Sequence, residues 1–148
     1  MGKSYQFSQK CRLKIITCKI SYTRKIVNPT GLVEITSLVN KAEILSIALQ
    51  NKWGNSKRTK LKGLLEEIAV IDITDEQILD YYVNIDTFSQ GKHPDLKLKG
   101  SAKNMGKNDI WIAATVASLK CTLVTTDKDF DHLDSILIDR ILFDPDTL

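Results

Sequence analysis

The feature that most constrains the fold of this chain is an apolar helix followed almost at once by a short strand. From Asp109 to Leu119 most residues are apolar, which predicts a central helix buried on most sides, with Asn108 as its N-cap. Residues 122–125 then form a predicted core strand. An element that buries most of its surface needs other layers around it.

Apolar strand patterns alternate with helical patterns along the rest of the chain. Strands are predicted over 32–39, 68–73, 122–125 and 136–143, and helices over 41–52, 56–67, 75–89 and 109–119. This alternation predicts a three-layer α/β/α domain with a central parallel sheet. In such sheets, functional sites form at the carboxyl ends of the strands. A chain of 148 residues is of a suitable length for one such domain over 1–148.

Composition narrows the class of protein further. The longest nearly apolar run is about half of the roughly 20 residues that a bilayer span needs, and the first residues lack a secretory pattern. We therefore expect a cytoplasmic protein without a membrane partner. The three cysteines, Cys11, Cys18 and Cys121, form no C-x-x-C pair, so reduced thiols are expected rather than a disulfide or a zinc site.

Several acids fall at the predicted carboxyl edge of the sheet, and each has a purely structural explanation. Asp109 could complement the dipole of the buried helix, and Asp127 and Asp129 could cap the turn after strand 122–125. Glu43, with Asn40 as N-cap, could complete a capping box. Their convergence on one edge favours a shared chemical role.

Carboxylates grouped in this way suit a hard cation, Mg²⁺ or Mn²⁺, whereas no histidine or cysteine cluster offers a transition-metal site. Such an ion lowers the pKa of bound water and neutralises charge on a phosphoryl group, which is the chemistry of phosphodiester hydrolysis.

Two motifs resemble the C-terminal half of PIN-domain proteins of the VapC toxin type. They are N-M-G-K-N-D-I-W-I-A-A over 104–114 and L-V-T-T-D-K-D-F-D-H-L over 123–133. Residues 41–46, K-A-E-I-L-S, resemble the second motif of that family, and the resemblance covers about 32–143.

The resemblance implies a metal-dependent endoribonuclease, commonly the toxin of a toxin–antitoxin pair, held inactive by a small antitoxin and usually homodimeric. Glu43, Asp109 and Asp127 match the second, third and fourth acidic positions of the family, and Asp129 is a supporting acid. Glu43, Asp109 and Asp127 are thus the expected catalytic residues, and all four acids the expected metal ligands.

The first acidic motif of the family is not found. Residues 1–33 hold seven of the 21 basic residues and none of the 18 acidic ones, so residues 1–31 are atypical and basic. Either the reading frame has lost its beginning or the segment has diverged. This leaves open a weakened or inactive nuclease, or a non-catalytic PIN-fold remnant that binds RNA or an antitoxin. A metal-dependent phosphatase of another α/β family would need an N-terminal nucleophilic aspartate, which is also missing.

A second basic region spans 92–107, with five lysines against one aspartate. Its glycines and proline predict an exposed loop. Lys103, Lys107 and Asn108 are candidate RNA contacts there, because lysines supply phosphate contacts. Solvated surface lysines are the alternative.

Overall fold

The computed structural model describes residues 33–144 and, as backbone, the strand Arg12–Lys14. Five strands are described: β1 (Arg12–Lys14), β2 (Glu34–Ser37), β3 (Ala69–Ile71), β4 (Thr122–Thr125) and β5 (Asp139–Leu142). The described α-helices are α1 (Leu38–Gln50), α2 (Asn55–Glu67), α3 (Glu76–Ser89) and α4 (Lys107–Leu119). A 3₁₀ helix, Lys128–Leu133, follows β4.

All five described strands are parallel and form one sheet in the order β3-β2-β1-β4-β5. The predicted α/β fold with a central parallel sheet is confirmed. Strand β1 lies at its centre, where Leu13 is in register with Ile35 of β2 and Leu123 of β4. The elements that follow β2 and β4 therefore leave the sheet on either side of β1, at the carboxyl edge.

Two apolar clusters hold the helices in place. The larger joins the sheet to α3 and α4, with Ile35, Ile85, Phe88, Leu123 and Phe130 at or below 1% exposure. The smaller joins α1 and α2 through Ile44, Leu61 and Leu65. Burying each large aliphatic side chain contributes about 1.5–3 kcal/mol, so these clusters are the main source of stability.

Helix α4 is the buried helix that the sequence predicts. Seven of its residues are buried: Ile110, Ile112, Ala113, Ala114, Thr115, Val116 and Ala117. It ends at Lys120, whose φ of 51° is left-handed and lets the chain turn directly into β4. The N-terminus of α4 is thereby fixed beside the carboxyl edge.

The predicted start of α1 is wrong. The expected N-cap was Asn40, but Ser37 caps the helix and its Oγ accepts the N–H of Asn40 at 3.0 Å. The side chain of Asn40 donates instead to Thr36 Oγ1 at 2.9 Å, and all three residues are buried. The capping-box explanation for Glu43 is excluded, because Glu43 lies in the second turn of α1.

Three other boundaries differ from the predictions. Helix α3 begins at Glu76 rather than at residue 75, because Asp75 is its N-cap and Asp75 Oδ1 accepts the N–H of Gln77 at 2.8 Å. Helix α4 is capped by Gly106 rather than Asn108, which lies in its first turn. Strand β5 begins at Asp139, because residues 135–138 form a turn closed by a bond from Ser135 N to Ile138 O.

No helix among the described residues is long and apolar enough to span a bilayer. Cys121 is buried. The structure does not describe residues 1–11 and 15–31. The atypical basic segment, apart from β1, and both Cys11 and Cys18 therefore lie outside the described residues. The assignment of the whole chain to one domain stays a prediction.

Candidate metal site

The candidate site lies at the carboxyl edge of the sheet, around the end of β1. Strand β2 leads directly into α1, which carries Glu43, and β4 leads into the turn that carries Asp127 and Asp129. Helix α4 packs against both α1 and β4 and brings Asp109 to the same edge in its first turn. Three separate elements thus place the predicted acids at the same edge of the sheet.

Asp109 is the most perturbed of these acids. Burial, and then the neighbouring carboxylates of Asp127, Glu43 and Asp129, raise the pKa of Asp109 to about 6. Each of these causes disfavours the charged form of the carboxyl group. Asp109 therefore lies within the electrostatic field of all three other predicted ligands.

Gly106 makes room for the Asp109 carboxylate, which folds back over the N-cap of α4. A Cβ atom at position 106 would lie 2.9 Å from Asp109 Oδ2, closer than real Cβ contacts allow. The backbone of Gly106 is ordinary, with a φ of −59°. The glycine is thus needed for space beside the carboxylate rather than for backbone freedom.

Glu43 is held by a residue of α4, the helix that carries Asp109. Asn108 Nδ2 donates to Glu43 Oε1 at 2.6 Å, which links α4 to α1 across 65 positions of sequence. The bond occupies one carboxylate oxygen and leaves Oε2 for another partner. The sequence places Asn108 beside Asp109 but gives no signal that its amide contacts Glu43.

Asp127 combines the structural role with the proposed chemical one. Its Oδ1 accepts the N–H of Asp129 at 2.8 Å and so caps the 3₁₀ helix, while its own N–H donates to Thr125 Oγ1 at 3.0 Å. The turn explanation offered by the sequence is therefore correct for Asp127. Its Oδ2 and the exposed Asp129 carboxylate remain at the edge.

Among the described residues, no three acidic, histidine or cysteine side chains are close enough together to ligate one ion. The donor set still fits a hard divalent cation, because it consists of carboxylates alone and their repulsion is relieved by positive charge. In chain sequence, residues 15–33, which follow central strand β1, contain no acid that would add a ligand.

Two residues that support this edge were not predicted from the sequence. Arg140 of β5 pairs with Asp131, which lies within the 3₁₀ helix, and with Asp134 at its C-cap. His132 Nε2 lies 2.8 Å from Ser89 Oγ and joins the 3₁₀ helix to α3. Both contacts join residues from separate elements, which no local pattern predicts.

The candidate RNA contacts lie on the amino side of Asp109. The side chain of Lys107 is 71% exposed and lies 3.8 Å from Asp86. Lys103 is exposed, and its backbone N–H donates to Ser89 O at 2.7 Å. Their assignment to RNA, like that of Asn108, stays a prediction.

Comparison with known proteins places this geometry in a family. The sequence profile of the PIN domain matches residues 20–136. A search of curated protein sequences finds no match.

Solved structures with the same fold include VapBC2 from Rickettsia felis bound to a DNA fragment from its promoter. It is 19% identical with a TM-score of 0.67, over 90% of this chain and 99% of that one. DNA-bound VapBC from Salmonella typhimurium is 18% identical with a TM-score of 0.64, over 88% and 97%. FitAcB from Neisseria gonorrhoeae is 20% identical with a TM-score of 0.54, over 93% and 99%. The profile match spans well over half of the sequence, and the chain belongs to the PIN domain family.

Proposed function

We propose that this protein is a metal-dependent endoribonuclease of the VapC toxin type, which hydrolyses RNA phosphodiester bonds. Proteins of the PIN and VapC families are generally ribonucleases. The observation that carries the proposal is the position of Asp109, fixed at the end of a buried helix in the field of Glu43, Asp127 and Asp129. An acid that only complements a helix dipole does not account for three acidic neighbours, which disfavour its charged form.

Glu43, Asp109 and Asp127 would hold Mg²⁺ or Mn²⁺, with Asp129 in support. When bound, the ion would lower the pKa of a water molecule and offset charge on the phosphoryl group. The residues of the chain prepare this site in different ways. Buried α4 fixes Asp109, Asn108 leaves one oxygen of Glu43 available, and the cap at Asp127 orients its carboxylate.

Lysines beside the site would contact the RNA backbone. Lys103 and Lys107 lie within six residues of Asp109, and their ammonium groups suit phosphate oxygens. Asn108 is less suited to RNA than its sequence position indicates, because its amide already donates to Glu43.

A small antitoxin is the proposed protein partner, since the solved structures of the same fold include VapBC complexes. A groove of about 700 Å³ between α1 and α2 supports this proposal. It is lined by apolar side chains that include Leu45 and Leu49, which are 47% and 72% exposed, and by the basic residues Lys41, Arg58 and Lys62. An acidic amphipathic segment would match that surface. A homodimer is proposed on the family resemblance alone.

One observation favours a second candidate, a non-catalytic PIN-fold module that binds RNA or an antitoxin. Strand β1 lies at the centre of the sheet, yet the 19 residues after it include no acid. Loss of one ligand weakens metal affinity and disturbs the position of the attacking water. We therefore expect slow cleavage.

The test is cleavage of structured and single-stranded RNAs with Mg²⁺ or Mn²⁺, with EDTA, and with Asp109→Asn. This variant relieves repulsion, so any loss of activity is a chemical effect and not unfolding. Cutting that requires metal and disappears in the variant would establish the nuclease. Folded wild-type protein that binds RNA without cutting it would instead identify the binding module.

A further inference from the structure

Arg140 is a nearly buried cation beside the segment that carries two of the proposed metal ligands. It belongs to β5, and its side chain is only 9% exposed. The guanidinium donates from Nη1 to Asp131 Oδ1, and Nη2 lies 3.8 Å from Asp134 Oδ2. Nη1 also makes a long contact of 3.5 Å with the carbonyl oxygen of Asp127.

The segment that Arg140 contacts has a strong excess of negative charge. Residues 127–134 hold four aspartates and a single lysine. Like charges so close in sequence repel one another, and the segment forms a short 3₁₀ helix, in which hydrogen-bond geometry is poorer than in an α-helix. A planar guanidinium with five donors can contact several of these oxygens at once, whereas an ammonium group cannot.

Burial makes these contacts necessary. A charge removed from water is tolerated only when it is paired, and the Nε of Arg140 has no hydrogen-bond partner among the residues that the structure describes. The pairing of the guanidinium therefore rests on Asp131, Asp134 and the Asp127 carbonyl. Any shift of the 127–134 segment would leave the cation less well paired, so the cation and the segment hold each other in place.

We propose that Arg140 is a positioning residue for the metal site, which holds the 127–134 segment so that Asp127 and Asp129 face Asp109. This inference rests on the proposed function for the identity of the ion. The carbonyl oxygen of Asp127 lies 3.5 Å from Arg140 Nη1, while its side-chain Oδ1 accepts the N–H of Asp129. Arg140 would thus act on the ligands through the backbone.

The direction of the change in metal affinity on loss of Arg140 distinguishes a positioning role from a purely electrostatic one. Arg140 is positive, so its loss should strengthen binding of a cation if only its charge mattered. If Arg140 positions the ligands, its loss should weaken binding in spite of the more favourable charge. Weaker binding therefore cannot come from the change in charge.

The experiment compares wild type with Arg140→Gln, Arg140→Lys and Lys60→Gln. Lys60 is an exposed residue of α2, and its substitution removes the same unit charge away from the segment. The first readout is amide hydrogen exchange of 127–134 in EDTA, and the second is Mn²⁺ affinity by calorimetry. In Arg140→Gln we expect about tenfold faster exchange and about tenfold weaker Mn²⁺ binding, with little change in Lys60→Gln.

Unchanged exchange in Arg140→Gln would overturn the inference, and so would faster exchange with equal or tighter Mn²⁺ binding. If Arg140→Gln does not fold, Arg140→Lys decides, because it keeps the charge but not the planar contacts and should fall between wild type and the expected loss. Wild-type protein that binds no Mn²⁺ would refute the proposed function. The exchange data would then still decide whether Arg140 holds the segment.

Discussion

Asp109 differs from the other acids of the site because it is both partly buried and surrounded by like charge. Its place at the start of an apolar helix was apparent from the sequence, whereas its role as a metal ligand together with Asp127 stays a prediction. What local patterns could not indicate is that burial, ahead of the acidic neighbours, is the largest cause of the raised pKa of Asp109, because burial depends on how separate elements pack. The same limitation applies to Arg140, whose partners lie six and nine positions earlier in the chain.

We predict that Asp109→Asn stabilises the metal-free protein at pH 7, raising its melting temperature by roughly 2–6 °C. In the wild type the carboxyl group has a pKa of about 6, above that of the unfolded chain. The folded state therefore binds the proton more tightly, and this group lowers the free energy of unfolding as pH rises from about 4 to 6. The measurement is the melting temperature in EDTA between pH 4 and 6. The part of its fall with rising pH that comes from Asp109 should be absent in the variant. Parallel curves of melting temperature against pH for wild type and variant would refute the raised pKa of Asp109.

Gly106→Ala should weaken Mn²⁺ binding with only a small loss of stability. The added methyl group would lie against Asp109 Oδ2 and must displace the carboxylate. Alanine is also a poorer N-cap than glycine, which costs about 1 kcal/mol at most. Calorimetric titration with Mn²⁺ checks the first effect and urea unfolding the second. Gly63→Ala, where a Cβ meets open space, is the control, and equal affinity in both variants would contradict the prediction.

At the scale of elements, the strands and helices followed from apolar spacing, whereas their ends did not. Ser37 and Asn40 both have side chains that can cap a helix, and the choice between them depends on which one the buried Thr36 hydroxyl engages. Likewise, Asn108 is a good N-cap by type, but its side chain is used by Glu43. Contacts between elements thus decided boundaries that local propensity left ambiguous.

The 3₁₀ helix should depend on its connection to α3. His132 Nε2 lies 2.8 Å from Ser89 Oγ, and burial lowers the pKa of His132 below its usual value. Ser89→Ala would leave a partly buried ring nitrogen unpaired, so we expect a loss of about 1–2 kcal/mol in urea unfolding at pH 7.5. Ser101→Ala, in the exposed loop, should cost nothing measurable. Equal midpoints for the two variants would show that the bond does not contribute.

For the whole molecule, the parallel sheet was predictable, but the central position of β1 was not. Its charged residues, Arg12 and Lys14, obscure any strand pattern, and its neighbours β2 and β4 come from residues about 20 and 110 positions further along the chain. Only the strand order reveals that β1, which no acid follows as far as residue 33, lies between the two described strands that lead to the proposed metal ligands.

Adding an acid after β1 should therefore increase metal binding. Asp127 is the third residue after Val124, and Thr17 is the third after Lys14, the register partner of Val124. We expect Thr17→Asp to raise Mn²⁺ affinity about tenfold or more and to increase RNA cleavage. Thr23→Asp adds the same charge in the same acid-free stretch and serves as the control. An equal gain in both variants would point to net charge instead.

The deep burial of α4 also bears on which ions the protein can distinguish. Discrimination between Mg²⁺ and the larger Ca²⁺ requires several ligands held at fixed separations, because Mg²⁺ demands near-ideal octahedral geometry at about 2.0–2.1 Å and Ca²⁺ accepts about 2.3–2.6 Å. Only Asp109 belongs to an element packed on most of its surface, while Asp127 and Asp129 are exposed. The described acids can thus adjust to either radius, so Ca²⁺ should compete with Mg²⁺ for occupancy without supporting hydrolysis equally well.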